Sequence, residues 1–342
     1  MSLRHSAKLS SARRSEAFDS TIRLDLTHNP YSSCPVAIEA VDARLDSPPE
    51  SLAAAFRHRL GEVYRVPAGS IRLFGSVDAA IRVLASCHPG PTVVFPPAAA
   101  ATLVAESRRG SDVVSIARGA GNDTIVGPEI ASDIPADSLA IVDSPSNPLG
   151  SIVTPVDAVR LSRACTCVVI DERFAEFSGF SLLPLALELE NFVVIRSFTP
   201  WAGMPEIACS WAVAPAGLAE ELELGANAVN SEAMAGAMAT LESHASVAPT
   251  LKLVREERSR LFRFLRRLSF LQPLPSWGPF MTGRVTVVSR QDLIDGLAKR
   301  GILIHAPGEP GLEEYVRIGI GSRTSMDRLR AALLELGPEL VA

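Results

Sequence analysis

The sequence predicts an α/β fold: a mostly parallel central sheet in a large domain, followed by a smaller C-terminal α/β domain. Three observations predict it. Two runs, Cys167 to Ile170 and Phe192 to Ile195, are apolar, β-branched and too short for helices, which is how strands buried on both faces read. Each ends in a polar group, Asp171-Glu172 after the first and Arg196-Ser197-Phe198-Thr199-Pro200 after the second. Strand–turn–helix units then recur along most of the chain. Because ligands in such sheets bind just beyond the carboxyl ends of the strands, Asp171 and residues 196–200 are expected to flank one site.

With 342 residues, 47% of them hydrophobic, the chain can bury a large core and a second, smaller one. Residues 1–20 read as a mobile arm, 21–245 as the large domain and 246–342 as the small domain, with segment 21–48 packing near the latter. Net charge is −5, and no basic patch points to nucleic acid. No apolar run approaches the roughly 18–20 residues of a membrane span. The first residues, MSLRHSAKLSSARRSEAFDS, lack the apolar core of a secretory signal. Cys34, Cys87, Cys165, Cys167 and Cys209 show no metal-ligand spacing, so no metal is expected. They read as small core residues of a protein in a reducing cytoplasm.

Taken in order, a helix reads over roughly 50–63, in the run SLAAAFRHRLGEVY that starts at Ser51, behind Pro48-Pro49 and with Ser51 able to cap it. Residues 70–86 read as a strand, a Gly75-Ser76 turn and an amphipathic helix. The free N–H groups at that helix start make an anion seat, although many α/β turns look the same. A strand opens 92–107 and another opens 138–151. A helix near 156–163 and the strand at 165–170 complete a βαβ unit ending at Asp171. Residues 245–270 give the clearest helix, with Leu251, Val254, Leu261, Phe264 and Leu268 on one face. A strand at 284–288, a helix at 291–299 and a strand at 301–305 follow. In 315–321, alternation turns Val316, Ile318 and Ile320 to the core and Arg317 to the opposite face. The last helix starts near Thr324-Ser325, buries Met326, Leu329, Leu333 and Leu336, and stops at Gly337-Pro338.

An ordered set of short motifs runs through these elements: Thr27-His28-Asn29-Pro30-Tyr31, Gly75-Ser76, Ser144-Pro145-Ser146-Asn147-Pro148-Leu149-Gly150, Asp171-Glu172-Arg173-Phe174, Ser197-Phe198-Thr199-Pro200 and Val316-Arg317-Ile318. The set resembles the class I/II aminotransferases, pyridoxal-phosphate enzymes of fold type I, and most closely their histidinol-phosphate aminotransferase branch. The resemblance spans roughly residues 21–336. It implies a cofactor site at Gly75, Ser76, Asn147, Asp171, Ser197 and Thr199. In that site the Gly75-Ser76 turn holds the phosphate, Asn147 meets the phenolic oxygen and Asp171 pairs with the pyridine nitrogen. It also implies a substrate site at Arg317, Asn147 and Tyr31, where Arg317 clamps a carboxylate. As plain structure, Asp171 would be a strand-end carboxylate capping a loop, and Arg317 would be one half of an ion pair with Asp171, Glu172 or Glu206.

Several family positions differ. Pro200 stands where the Schiff-base lysine is expected, Ala98 where an aromatic stacks on the ring, and Ala208 where an arginine binds phosphate. The tyrosine expected before Pro48 is also missing. The lysines are Lys8, Lys252 and Lys299, and none follows a sheet strand. Proline has no amine with which to form an aldimine. Three readings follow. The first is a pyridoxal-phosphate-independent biosynthetic enzyme acting on a small carboxylate- or amino-acid-derived molecule, with Asp171, Glu172, His28 or His305 as acid–base groups. The second is a non-catalytic homologue that binds a ligand or partner subunit. The third is an enzyme using non-covalently held pyridoxal or pyridoxamine phosphate, which the replaced residues disfavour. His28 reads equally as a loop histidine bonded to backbone. The resemblance further implies a homodimer.

Overall fold

The computed structural model describes residues 21–31, 33–45, 52–107, 113–118, 131–215, 217–218 and 229–341. Its centre is a seven-stranded sheet. In chain order these strands are β2 (Ile71–Phe74), β3 (Thr92–Val94), β4 (Val113–Ser115), β5 (Leu139–Asp143), β6 (Cys167–Asp171), β7 (Phe192–Ser197) and β8 (Ser210–Val213). Across the sheet they lie β2-β8-β7-β6-β5-β3-β4, all parallel except β8, which runs antiparallel to both neighbours. Val169 and Val194 lie on adjacent parallel strands of this sheet, as the buried-run pattern predicts.

The period of two sorts the central strands into two faces. Ala140, Val142, Val168, Ile170, Phe192 and Val194 pack into the larger core. That core also takes in helices α1 (Pro35–Leu45), α2 (Ala53–Tyr64), α5 (Pro155–Ala164), α8 (Ser231–Glu242) and α9 (His244–Leu265). Leu139, Ile141, Cys167, Val169, Val193 and Ile195 pack on the other face, against α3 (Val77–Cys87) and α4 (Ala99–Ser107). By the same alternation Asp143, Asp171 and Ser197, at the carboxyl ends of β5, β6 and β7, fall on the α3 face. Asp143 and Asp171 are register partners.

Past α9, an antiparallel sheet of β9 (Leu271–Pro273), β10 (Phe280–Val285) and β12 (Tyr315–Gly319) forms, in the order β12-β10-β9. Helices α10 (Arg290–Lys299) and α11 (Arg323–Val341) accompany it. Strand β11 (Ile302–Ile304) pairs in parallel with β1 (Ile22–Leu24), so the N-terminal segment is tied to the C-terminal part of the chain. The Thr282 hydroxyl donates to the Pro148 carbonyl and brings β10 against the 144–150 loop.

Three boundaries depart from the sequence pattern. The helix expected over 245–270 ends at Leu265, so Leu268 lies beyond it. The strand expected at 284–288 lies at Phe280–Val285, and Val287 has φ +71 in the turn beyond it. The Trp277-Gly278-Pro279 run hides the strand start, because turn residues lead straight into the pairing with β12. The last helix does not stop at Gly337-Pro338 but continues to Val341. Pro338 lies close to the helix end, where only one short turn follows. The Pro48-Pro49 and Ser51 start signal lies outside the described residues, and α2 begins at Ala53 without a side-chain cap.

Candidate active-site cleft

Strand ends β5 and β6 supply one half of the site. Asp171 is buried, and Arg173 follows two residues later in the turn. Arg173 folds back on the carboxylate: its amide donates to Oδ1 at 3.0 Å and its Nε to Oδ2 at 2.8 Å. Its Nη2 lies 2.7 Å from Asp171 Oδ2 and donates to Asp78 Oδ1, also at 2.7 Å. Asp78 is in the first turn of α3, whose N-cap is Ser76, with its hydroxyl accepting from the Ala79 amide at 3.1 Å. The two carboxylates hold the Arg173 guanidinium firmly in its charged form, well above the ordinary arginine pKa, despite its burial.

Asp143 supplies the link to the other half. It is buried beside Arg118, 3.2 Å from Nη1. Burial pushes its carboxyl upward against the pull of Arg118. Its Oδ2 accepts the Asn147 amide at 2.8 Å, and Asn147 Oδ1 accepts Arg317 Nη1 at 2.7 Å. Arg317 is 7% exposed. Its Nη2 donates to the Asp25 carbonyl at 2.7 Å, and its guanidinium lies 5.6 Å from the centre of the Phe280 ring. Its buried Nε has no hydrogen-bond partner, and among the described residues no carboxylate lies within 4.0 Å of it. Burial brings its pKa down to about 10. His305 joins β12 through reciprocal backbone bonds with Arg317, at 3.0 and 2.8 Å. Burial and the Arg317 charge lower the His305 pKa.

The structure therefore brings Asn147, Arg317 and His305 together, and Arg173 joins Asp171 to Asp78 in the first turn of the helix that Ser76 caps. The other candidates lie apart. Glu172 is one residue beyond Asp171 and so points to the opposite face. Its Oε2 accepts the Ser181 hydroxyl at 2.6 Å, its Oε1 accepts the Leu182 amide, and Arg196 lies 4.0 Å away. That carboxylate holds the Ser181–Leu182 loop. His28 lines a separate pocket of about 360 Å³ between the β1 segment and the start of α11. Tyr31 packs against the larger core, its amide donating to Asn29 Oδ1 at 3.1 Å. Ser197 and Thr199 hydroxyls donate to the Cys209 and Ile207 carbonyls at 3.3 and 3.2 Å. The ion pair considered for Arg317 does not form: Asp171 is paired with Arg173, and Glu172 lies toward Arg196.

A family model for aminotransferase class I and II matches residues 32–333. The chain belongs to that family. Among curated relatives, the histidinol-phosphate aminotransferase of Dehalococcoides mccartyi is 26% identical over 323 residues, covering 92% of this chain and 90% of that one. The Symbiobacterium thermophilum enzyme of the same name is 28% identical over 334 residues, covering 92% and 91%. The fold matches the histidinol-phosphate aminotransferase structure from Clostridium acetobutylicum with a TM-score of 0.85 at 20% identity, covering 93% of this chain and all (100%) of that one. A similar structure from Sinorhizobium meliloti, with a TM-score of 0.80 at 20% identity and coverage of 93% and 91%, is in complex with pyridoxal 5′-phosphate. The family is typically pyridoxal-phosphate dependent.

The residues of this aminotransferase-family chain do not fit that cofactor in its usual linkage. Residue 200 is proline, and its carbonyl accepts the Asn29 amide at 2.7 Å. Lys252 lies in α9 and Lys299 at the end of α10, so neither is on the segment that follows β7. Asp171 is already met by a guanidinium. The Arg173, Asp143, Arg118 and Asp78 contributions went unread in the sequence. Arg173 carried a signal, being a charge inside the Asp171–Phe174 turn motif. Asp143 did too, because β5 ends in Asp just as β6 does.

No helix among the described residues is long and apolar enough to cross a membrane.

Proposed function

We propose that this chain is a pyridoxal-phosphate-independent member of the family that binds a small carboxylate- or amino-acid-derived molecule at Arg317. The observation that carries this reading is the state of Arg317 itself. A buried guanidinium whose hydrogen-bond partners are neutral, with the carboxylates of Glu309 and Asp25 acting on it only at longer range and with an unpartnered Nε, is costly to bury, and an incoming carboxylate offsets that cost. Asn147 and the Asp25 carbonyl fix the guanidinium plane, which leaves its remaining edge for a charge-assisted bond. His305, bridged to Arg317 through the backbone, is the acid–base group for a molecule held there. Asp171, neutralised by Arg173, and Glu172, on the opposite face, are less suited to that role. Pro200 separates the chain from ordinary transamination, which needs an amine at the linkage position.

Calorimetric titration with malonate, a minimal dicarboxylate, tests the reading. Arg317→Ala should lose about 1.5–3 kcal/mol of malonate affinity, the range of a charged hydrogen bond, while its unfolding midpoint stays near that of the parent. Unchanged affinity with a lowered midpoint would make Arg317 a structural residue instead. As in the family pattern, the chain is proposed to act as a homodimer in the cytoplasm.

A further inference from the structure

Arg173 spans the two anchor points of the cofactor site implied by the motifs: Asp171 at the end of β6, and the first turn of α3 beyond Gly75-Ser76. Its contacts engage both oxygens of Asp171, at 3.0 Å through the amide and 2.7–2.8 Å through the guanidinium. The same guanidinium reaches Asp78 at 2.7 Å. Asp171 is only 2% exposed, so its charge has no water to fall back on when that partner leaves. At the other anchor, the seat that would receive a phosphate carries the Asp78 carboxylate in its first turn, and the Ser76 hydroxyl is spent on the Ala79 amide.

We propose that Arg173 is a built-in cation that takes the place of a cofactor's protonated ring nitrogen on Asp171 and bars pyridoxal-type phosphates from the cleft. The proposal rests on the pyridoxal-independent reading above and names the residue that enforces it. A ring N–H can reach Asp171 only by displacing a guanidinium from a buried carboxylate. The ring then meets a second positive charge in the space it needs. The pocket is thereby neutralised at the Asp171 end without any bound group, and anion recognition is left to Arg317.

Pyridoxamine 5′-phosphate is the suitable probe, because it has no aldehyde to react with stray lysines. Calorimetric titration of the full chain should show no saturable binding up to roughly 1 mM, the weak end of measurable affinity. Arg173→Ala should tighten binding by roughly ten- to hundred-fold, the equivalent of regaining one charged hydrogen bond at Asp171. Arg173→Gln removes the charge but keeps a polar side chain, and gives the same reading if the alanine variant does not fold. Micromolar binding to the unmodified chain would overturn the proposal. So would a folded variant, with a parental melting profile, that gains nothing. Malonate titration of the same samples reports on Arg317 separately, so failure there leaves the Arg173 result standing and counts against the functional reading alone.

Discussion

At the residue scale, Asp143 and Asp171 end neighbouring parallel strands on one face, and each is met by a guanidinium, Arg118 from a distant segment and Arg173 from the turn two residues on. Arg118 comes from just past β4 and is 5% exposed, and its pairing with Asp143 at 3.2 Å anchors the turn that presents Asn147 to Arg317. Arg118→Met should therefore cost roughly 3–5 kcal/mol of stability in urea unfolding, because it strands a buried carboxylate. An Arg118→Met/Asp143→Asn double variant should recover much of that loss; equal losses in both would show that the pair adds nothing. This scale is where the sequence was least legible. Strand-end position singled out Asp171, and strand alternation turned Arg317 away from the core. Neither could say which distant charge meets which. Arg118 and Asp143 are paired only because β4 and β5 both lie beside β3, a non-local fact. Glu172 shows the converse: a two-residue acidic motif reads as one site, yet a period of two sends its members to opposite faces.

At the element scale, most of the architecture was legible. Continuous β-branched runs marked β6 and β7, and the 3.6-residue period marked α9 and α11. The misplaced strand near 284 shows the limit, since the start of β10 is fixed by pairing Phe280 with Gly319 rather than by local pattern. The same Gly319 offers a test of how elements build the site. A side chain there would run into the carbonyl oxygen of Leu26, so β12 and the β1 segment approach as closely as glycine allows. Gly319→Ala should push that segment away, loosen the Asp25–Arg317 bond and destabilise the fold by about 1–3 kcal/mol. Gly69, with nothing within 4 Å of an added Cβ, serves as control, and Gly69→Ala should leave the melting temperature nearly unchanged. Equal effects at the two positions would count against the close approach as a constraint.

At the scale of the whole molecule, the family match runs over residues 32–333, and proline stands at position 200 just beyond β7. Light scattering should give twice the 36.4 kDa chain mass at micromolar concentration, and a monomer there would speak against the proposed dimer. The central claim is that this aminotransferase scaffold works without a lysine-linked cofactor. Its most direct test is to incubate the chain with equimolar pyridoxal phosphate, reduce with borohydride and measure the intact mass. The account predicts an unmodified chain; a stoichiometric reduced adduct mapped to Lys252 or Lys299 would contradict it.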